Sequence, residues 1–164
     1  MQQIKGVHYF LGVIVLIMIA ITGCRQIDVY EKMANIPRHE WARNYAAVVE
    51  IDVKDSALHN LFFLIRHTEK FEFTNIVTTL SVQDTVKNAK PFAFMKLNIP
   101  LTNKQGDWTG NNMDDLYYHR VKINQPLFLK PGRYKFILLH EMKVDPLKYI
   151  LNVGVAVEKA LTSP

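Results

Sequence analysis

One thiol, Cys24, stands directly behind Ile21-Thr22-Gly23 at the end of an apolar run that begins at Phe10, and that placement gives it a chemistry. A basic start at Lys5, an apolar segment and a small residue before a cysteine form the pattern of a bacterial lipoprotein signal, whose cleavage frees Cys24 for acylation. Palmitate-type acyl chains on the sulfur and the new N-terminus then hold the chain to a membrane, each buried methylene contributing about 0.8 kcal/mol. Other nucleophiles are poorly placed: Ser56, Ser81 and Ser163 lie outside any Gly-x-Ser-x-Gly elbow. Among the six histidines no two have the i, i+4 spacing of a helical metal pair. His67, His119 and His140 could meet from neighbouring strands, although histidines satisfied at the surface or within a sheet are expected.

Two further groups have binding chemistry. Asp107, Asn111, Asn112, Asp114 and Asp115 bring oxygen donors of the kind calcium prefers into one short segment, but Asn and Asp also dominate loops because they tolerate unusual backbone angles. Trp108, in the same segment, offers either a flat ring on which a pyranose could stack or a lid folded over the end of the fold. The candidate ligand or partner contacts are therefore Trp108, Asp107, Asn111, Asn112 and Asp114, with no residue assigned to catalysis or to a metal. Glu50 with Asp52, and Asp114 with Asp115, are acidic pairs without the facing geometry of glycoside hydrolysis, and solvated carboxylates account for them. Trp41, ahead of the first clear strand, reads as a core plug.

The 164 residues are 49% hydrophobic and 21% charged with a formal charge of +5, which suits one folded domain and excludes a disordered chain. Residues 6–23 are the only stretch to consider as a membrane span, and a span normally wants about 20 uninterrupted apolar residues. They read instead as the body of a signal peptide, residues 1–23. A lone cysteine excludes internal disulfides and thiolate metal clusters, and no cofactor is expected. Basic side chains such as Arg38, Arg43, Lys54, Arg66, Lys96, Lys122 and Arg133 are scattered, so no nucleic acid partner is expected. Arg25 follows the cysteine at the position where an acidic residue retains enterobacterial lipoproteins at the inner membrane, and so points to the outer membrane.

The scaffold holding these residues reads as strands. Residues 24–44 are expected to be a lipid-anchored tether running into a first edge strand near Val29, residues 45–159 a β-sandwich, and 160–164 a tail. Val49, Ile51 and Val53 alternate with Glu50 and Asp52, the pattern of a half-buried strand. Leu61-Phe62-Phe63-Leu64-Ile65 is an apolar run fitting a central strand covered on both faces. Phe71 and Phe73 are out of phase with Ile76, Leu80 and Val82, which predicts a bulge near Asn75. Either Phe92 with Phe94, or Met95 with Leu97 and Ile99, faces inward on the next strand. Residues 102–116 read as a long loop, Lys130-Pro131-Gly132 as a tight turn, and Asp145-Pro146 as the cap of one helical turn through Leu151. Val153, Val155 and Val157 close the pattern. Seven or eight such strands predict an all-β, antiparallel β-sandwich of jelly-roll or Ig-like type.

Several of these pieces recur in a known order: Cys24, Tyr30, Trp41, the run from Asn60-Leu61 to Arg66, and Phe71-x-Phe73-x-Asn75. They continue with Gly106-x-Trp108-x-Gly110, Pro131-Gly132-x-Tyr134, Met142-Lys143 and Leu151-x-Val153-Gly154. Together they resemble the gliding-motility lipoprotein GldH family, with Lys143 where that family usually carries arginine. The resemblance implies an outer-envelope lipoprotein of Gram-negative bacteria, accessory to surface motility and linked to type IX secretion, with no catalytic residues to carry over. The function expected is non-enzymatic: the chain is held at the membrane by acyl chains on Cys24 and docks envelope proteins of a motility or secretion machine. A lipid-anchored glycan-binding module using Trp108 is the alternative, and a hydrolase would need convergent carboxylates or histidines in a cleft.

Overall fold

The computed structural model describes residues 29–86 and 90–160, so Cys24, the signal segment 1–23 and tail residues 161–164 lie outside the described residues. In chain order the strands are β1 Val29–Asn35, β2 Glu40–Trp41, β3 Ala47–Val53, β4 Ala57–Thr68, β5 Asn75–Asp84, β6 Ala93–Pro100, β7 Asn111–Met113, β8 Leu116–Leu129, β9 Gly132–His140, β10 Leu147–Lys148 and β11 Ile150–Lys159. A 3-10 turn occupies Pro37–His39. One sheet runs β1-β11-β4-β8-β7 and the other β3-β9-β5-β6, while β10 pairs with β2 in a small ribbon. All strand pairings are antiparallel, and the two large sheets form the expected sandwich.

Alternation builds the core. Ala47, Val49, Ile51 and Val53 of β3 turn inward beside Tyr134, Phe136 and Leu138 of β9, with Val49 opposite Phe136 and Ile51 opposite Tyr134. On the outer face of this sheet Glu50 meets Lys135 at 3.6 Å and Asp52 meets Arg133 at 2.8 Å. These carboxylates are therefore cross-strand ion-pair partners rather than merely solvated groups. Strand β4 lies centrally, and its run is covered on both sides: Leu61, Phe63 and Ile65 face the core, and Leu64 is also fully buried. Outward-facing Phe62 is capped by the Arg120 guanidinium, 3.6 Å from the ring centroid. Arg120 in turn pairs with Glu158, and the Tyr118 hydroxyl donates to Glu31 at 2.7 Å, linking β8 to the edge strand β1.

Three local expectations are corrected. The pairing of β5 is unbroken with β6 from Asn75 and with β9 from Thr78, because Phe71 and Phe73 belong to the preceding connection, where the Phe71 amide donates to the Thr68 carbonyl. The register shifts occur instead between His59 and Leu61 and between Ile150 and Asn152. No helical turn follows Pro146: Leu147–Lys148 pairs with Glu40–Trp41, and the i, i+3 spacing of buried Leu147 and Ile150 only imitates a helix. Residues 102–116 are not wholly loop, since β7 folds back on the start of β8. Of the described histidines His39 is exposed, while His59, His67, His119 and His140 are buried within the strands, the sheet placement that the sequence allowed. On β6 the inward set is Met95, Leu97 and Ile99, leaving Phe92 and Phe94 exposed.

The connections divide between two poles. At one, β1 begins, β11 ends, and the links at 54–56, 85–92 and 130–131 reverse the chain. At the other, β1 ends at Asn35 and the connections 36–46, 69–74, 101–115 and 141–149 gather. We term these the anchor pole and the loop pole.

Candidate functional site

Core-facing rows run out at the loop pole, and histidines stand where the rows meet the connections. In β4 the inward row ends at His67, and in β8 it starts at His119; because Ile65 is opposite His119 and Tyr117 opposite His67, the two imidazoles are diagonal neighbours. Their Nε2 atoms lie 2.9 Å apart and the rings stack at 15°. His67 Nδ1 donates to the Thr68 carbonyl at 2.7 Å, so its Nε2 is the acceptor and His119 Nε2–H the donor, a tautomer assignment made from the network. That leaves His119 Nδ1 buried without a hydrogen bond. Burial, and then the charge of His67, push His119 down to about 4, and burial also lowers His67. Both rings are thus neutral at neutral pH, a structural tie rather than a proton shuttle.

Trp108 folds onto this tie. Its ring centroid is 4.6 Å from that of His67, 5.7 Å from Tyr117 and 6.4 Å from Phe71, and it is half-buried against the core. The loop carrying it can lie this close because residue 110 is glycine: a Cβ there would stand 2.7 Å from the Tyr118 carbonyl oxygen and 2.9 Å from the His119 ring. At its tip Gly106 takes φ +93°, and Asp107 is held by Asn103 through its amide and its carboxylate. Asn111 and Asn112 are exposed on β7, and exposed Asp114 turns the chain into β8 with φ 56°. The structure therefore brings Trp108 to His67 and His119, and leaves the polar loop residues facing outward. Among the described residues no three His, Cys, Asp or Glu side chains form a group that could hold a metal ion.

His140 does not join that pair. It ends the inward row of β9, edge-on to the fully buried Trp41 at 5.4 Å. Trp41 itself is pinned by its Nε1–H donating to the Tyr45 carbonyl at 2.9 Å. Asp145 Oδ1 stands 3.6 Å from His140 Nε2, and burial holds this imidazole below its usual range against that attraction. Arg43 ties the surrounding connections together, its amide donating to Asp145 and its guanidinium to the Met142 and Lys143 carbonyls. A cleft of about 460 Å³ opens between Arg43, Thr79, His140 and Glu141. Beside it, Phe73, Val144, Pro146 and Tyr149 line a groove of about 300 Å³ with Glu72 and Lys148 at its rim.

Positive backbone angles concentrate on this pole. Arg38 (φ 55°), His39 (56°), Asp114 (56°) and Tyr149 (70°) are the non-glycine examples among the described residues, and all four lie in loop-pole connections. Strain of this kind, about 1–3 kcal/mol per residue, persists where the surrounding structure holds it and collects at functional surfaces. Sequence reading missed Val144 and Tyr149; it allowed His67, His119 and His140 to meet across strands, and of these His67 and His119 do. Tyr149 lies in the segment read as a helical turn and Val144 just ahead of it, and which histidines meet depends on a strand register that no spacing reveals.

A family model described as GldH lipoprotein matches residues 28–157, and the chain belongs to this family. A search of curated proteins finds no match. Among solved structures the chain is similar to Xyl-CBM35 in complex with a glucuronic-acid-containing disaccharide, at 16% identity over 84% of this chain and 91% of that one, with a TM-score of 0.40. A family 35 carbohydrate-binding module from an environmental isolate matches at 13% identity over 85% and 96%, TM-score 0.38. Another, from Clostridium thermocellum, matches at 11% over 79% and 90%, TM-score 0.36.

Proposed function

We propose that this GldH-family chain is a non-enzymatic lipoprotein of the outer membrane, acylated at Cys24 after removal of residues 1–23. In this reading it serves gliding motility or type IX secretion by docking another envelope protein through its loop pole. The supporting observation is the division of the fold along β1: the strand enters at the anchor pole, five positions after Cys24, and ends where the long connections, the positive-φ residues and exposed Met113, Val144 and Tyr149 gather. An acyl anchor at Cys24 turns that surface toward solution and concentrates it for a partner without any reaction. Trp108, Asp107, Asn111, Asn112 and Asp114 lie on the same pole and are the proposed rim of the contact.

The test is a crosslinking pull-down of the full acylated chain, run beside Cys24→Ser and beside Val144→Asp with Tyr149→Ser. Motility or secretion components should be recovered with the parent and lost with both variants. Polysaccharide recovered without any protein partner, and lost on Trp108→Ala, would replace docking with the glycan-binding reading.

A further inference from the structure

We propose that the anchor pole is a membrane-contact face, lying against the lipid surface that holds the acyl chains of Cys24; this rests on the acylation reading above. Exposed apolar side chains crowd this end of the molecule. Phe92, Phe94 and Phe128 are 52%, 65% and 59% exposed, and Val29, Leu58 and Val86 are exposed beside the same turns. Leu58 and Phe128 are directly opposite each other on β4 and β8. Phe92 and Phe128 share a cleft of about 500 Å³ with Lys90, Lys130 and Asp84. The turn between is rigid: the Tyr134 hydroxyl donates to the Lys130 carbonyl, accepts from the Lys130 amide, and its ring meets Phe92 edge-on at 5.9 Å.

Charge accompanies the rings. Lys54, Lys90 and Lys130 all sit in anchor-pole turns and make no ion pair among the described residues, whereas Lys159 is engaged by Asp55 at 3.3 Å. Aromatic rings with lysines around them suit the headgroup layer of a bilayer, where rings sink to the acyl boundary and ammonium groups reach lipid phosphates. Distance makes the occupant a lipid surface rather than a free partner. Only residues 25–28 separate Cys24 from Val29, and even fully extended that chain reaches about 17 Å. The rings are thus always presented to the bilayer at high effective concentration. A second copy or another protein would have to enter that gap.

The experiment uses the full acylated chain in phosphatidylethanolamine–phosphatidylglycerol vesicles whose acyl chains carry bromine. Phe92→Trp, Phe128→Trp and, at the loop pole, Met113→Trp are compared after subtracting the parent emission from Trp41 and Trp108. Tryptophan at 92 and at 128 should be quenched at least about twofold more strongly than at 113, with the difference reduced by Lys90→Gln and Lys130→Gln together. Equal quenching at the three positions in a chain that floats with the vesicles overturns this proposal alone. A parent chain that does not float with vesicles overturns the acylation reading, and this proposal with it.

Discussion

At the loop pole the tryptophans turn inward, and at the anchor pole three phenylalanines turn out. Trp41 is fully buried, Phe71 nearly so, and Trp108 packs on His67, whereas Phe92, Phe94 and Phe128 stand exposed. Long connections such as 101–115 and 141–149 carry many backbone groups that need partners, and aromatic plugs with their N–H donors order them. At the anchor pole the 130–131 turn is held by buried Tyr134, whose hydroxyl bonds the Lys130 backbone, and the exposed Phe94 and Phe128 have no such part in it. Residues kept in costly backbone angles at one end, and exposed phenylalanines at the other, give the two poles different surfaces.

The comparison breaks most sharply at Trp41. Trp41→Ala removes a fully buried indole and its bond to Tyr45, and should lower stability by about 3–5 kcal/mol in denaturant unfolding. A loss under about 1 kcal/mol would mean that the loop pole is not organised by its plugs.

Next comes acid. His119 is lowered to about 4 from an ordinary 6.5 when folded, so the unfolded chain binds the extra proton. Stability is therefore complete above about pH 6.5 and declines as pH falls toward 4, by up to about 3 kcal/mol, with His67 and His140 adding the same sign. Replacing both members of the tie, His67→Phe with His119→Phe, should flatten the curve of unfolding midpoint against pH. A parent curve already flat over that window would refute the neutral pair.

Gly110→Ala should then cost about 1–3 kcal/mol, because its Cβ meets the Tyr118 carbonyl and the loop must lift from His119. Trp108 fluorescence reports the lift: a red shift is expected, and an unchanged spectrum would separate the loop from the tie.

How much of this was legible depends on distance along the chain. The β3 strand and the buried run of β4 follow from patterns within a few residues, and Val153, Val155 and Val157 mark β11 the same way. The tie between His67 and His119 depends on the register of β4 against β8, which lies far outside any local window. Phe71 and Phe73 looked like strand residues because parity cannot say where a loop stops, and Leu147 and Ile150 looked helical because three-residue spacing suits either state. Scattered lysines read as a solvated surface in sequence, yet pairing of the strands brings Lys90 and Lys130 to one cleft and puts Lys54 at the same pole.

The smallest expected effect is the sharpest discriminator between the poles. Phe128→Ser replaces a ring that is 59% exposed on the outer face, so little contact is lost and no cavity opens. Its unfolding midpoint should stay within about 0.5 kcal/mol of the parent. A ring needed for packing would cost several times that, and the anchor pole would then be ordinary core poorly covered rather than a surface with a purpose. If stability is unchanged, the exposed ring is kept for a reason outside the folded domain, as the proposed membrane-contact face requires.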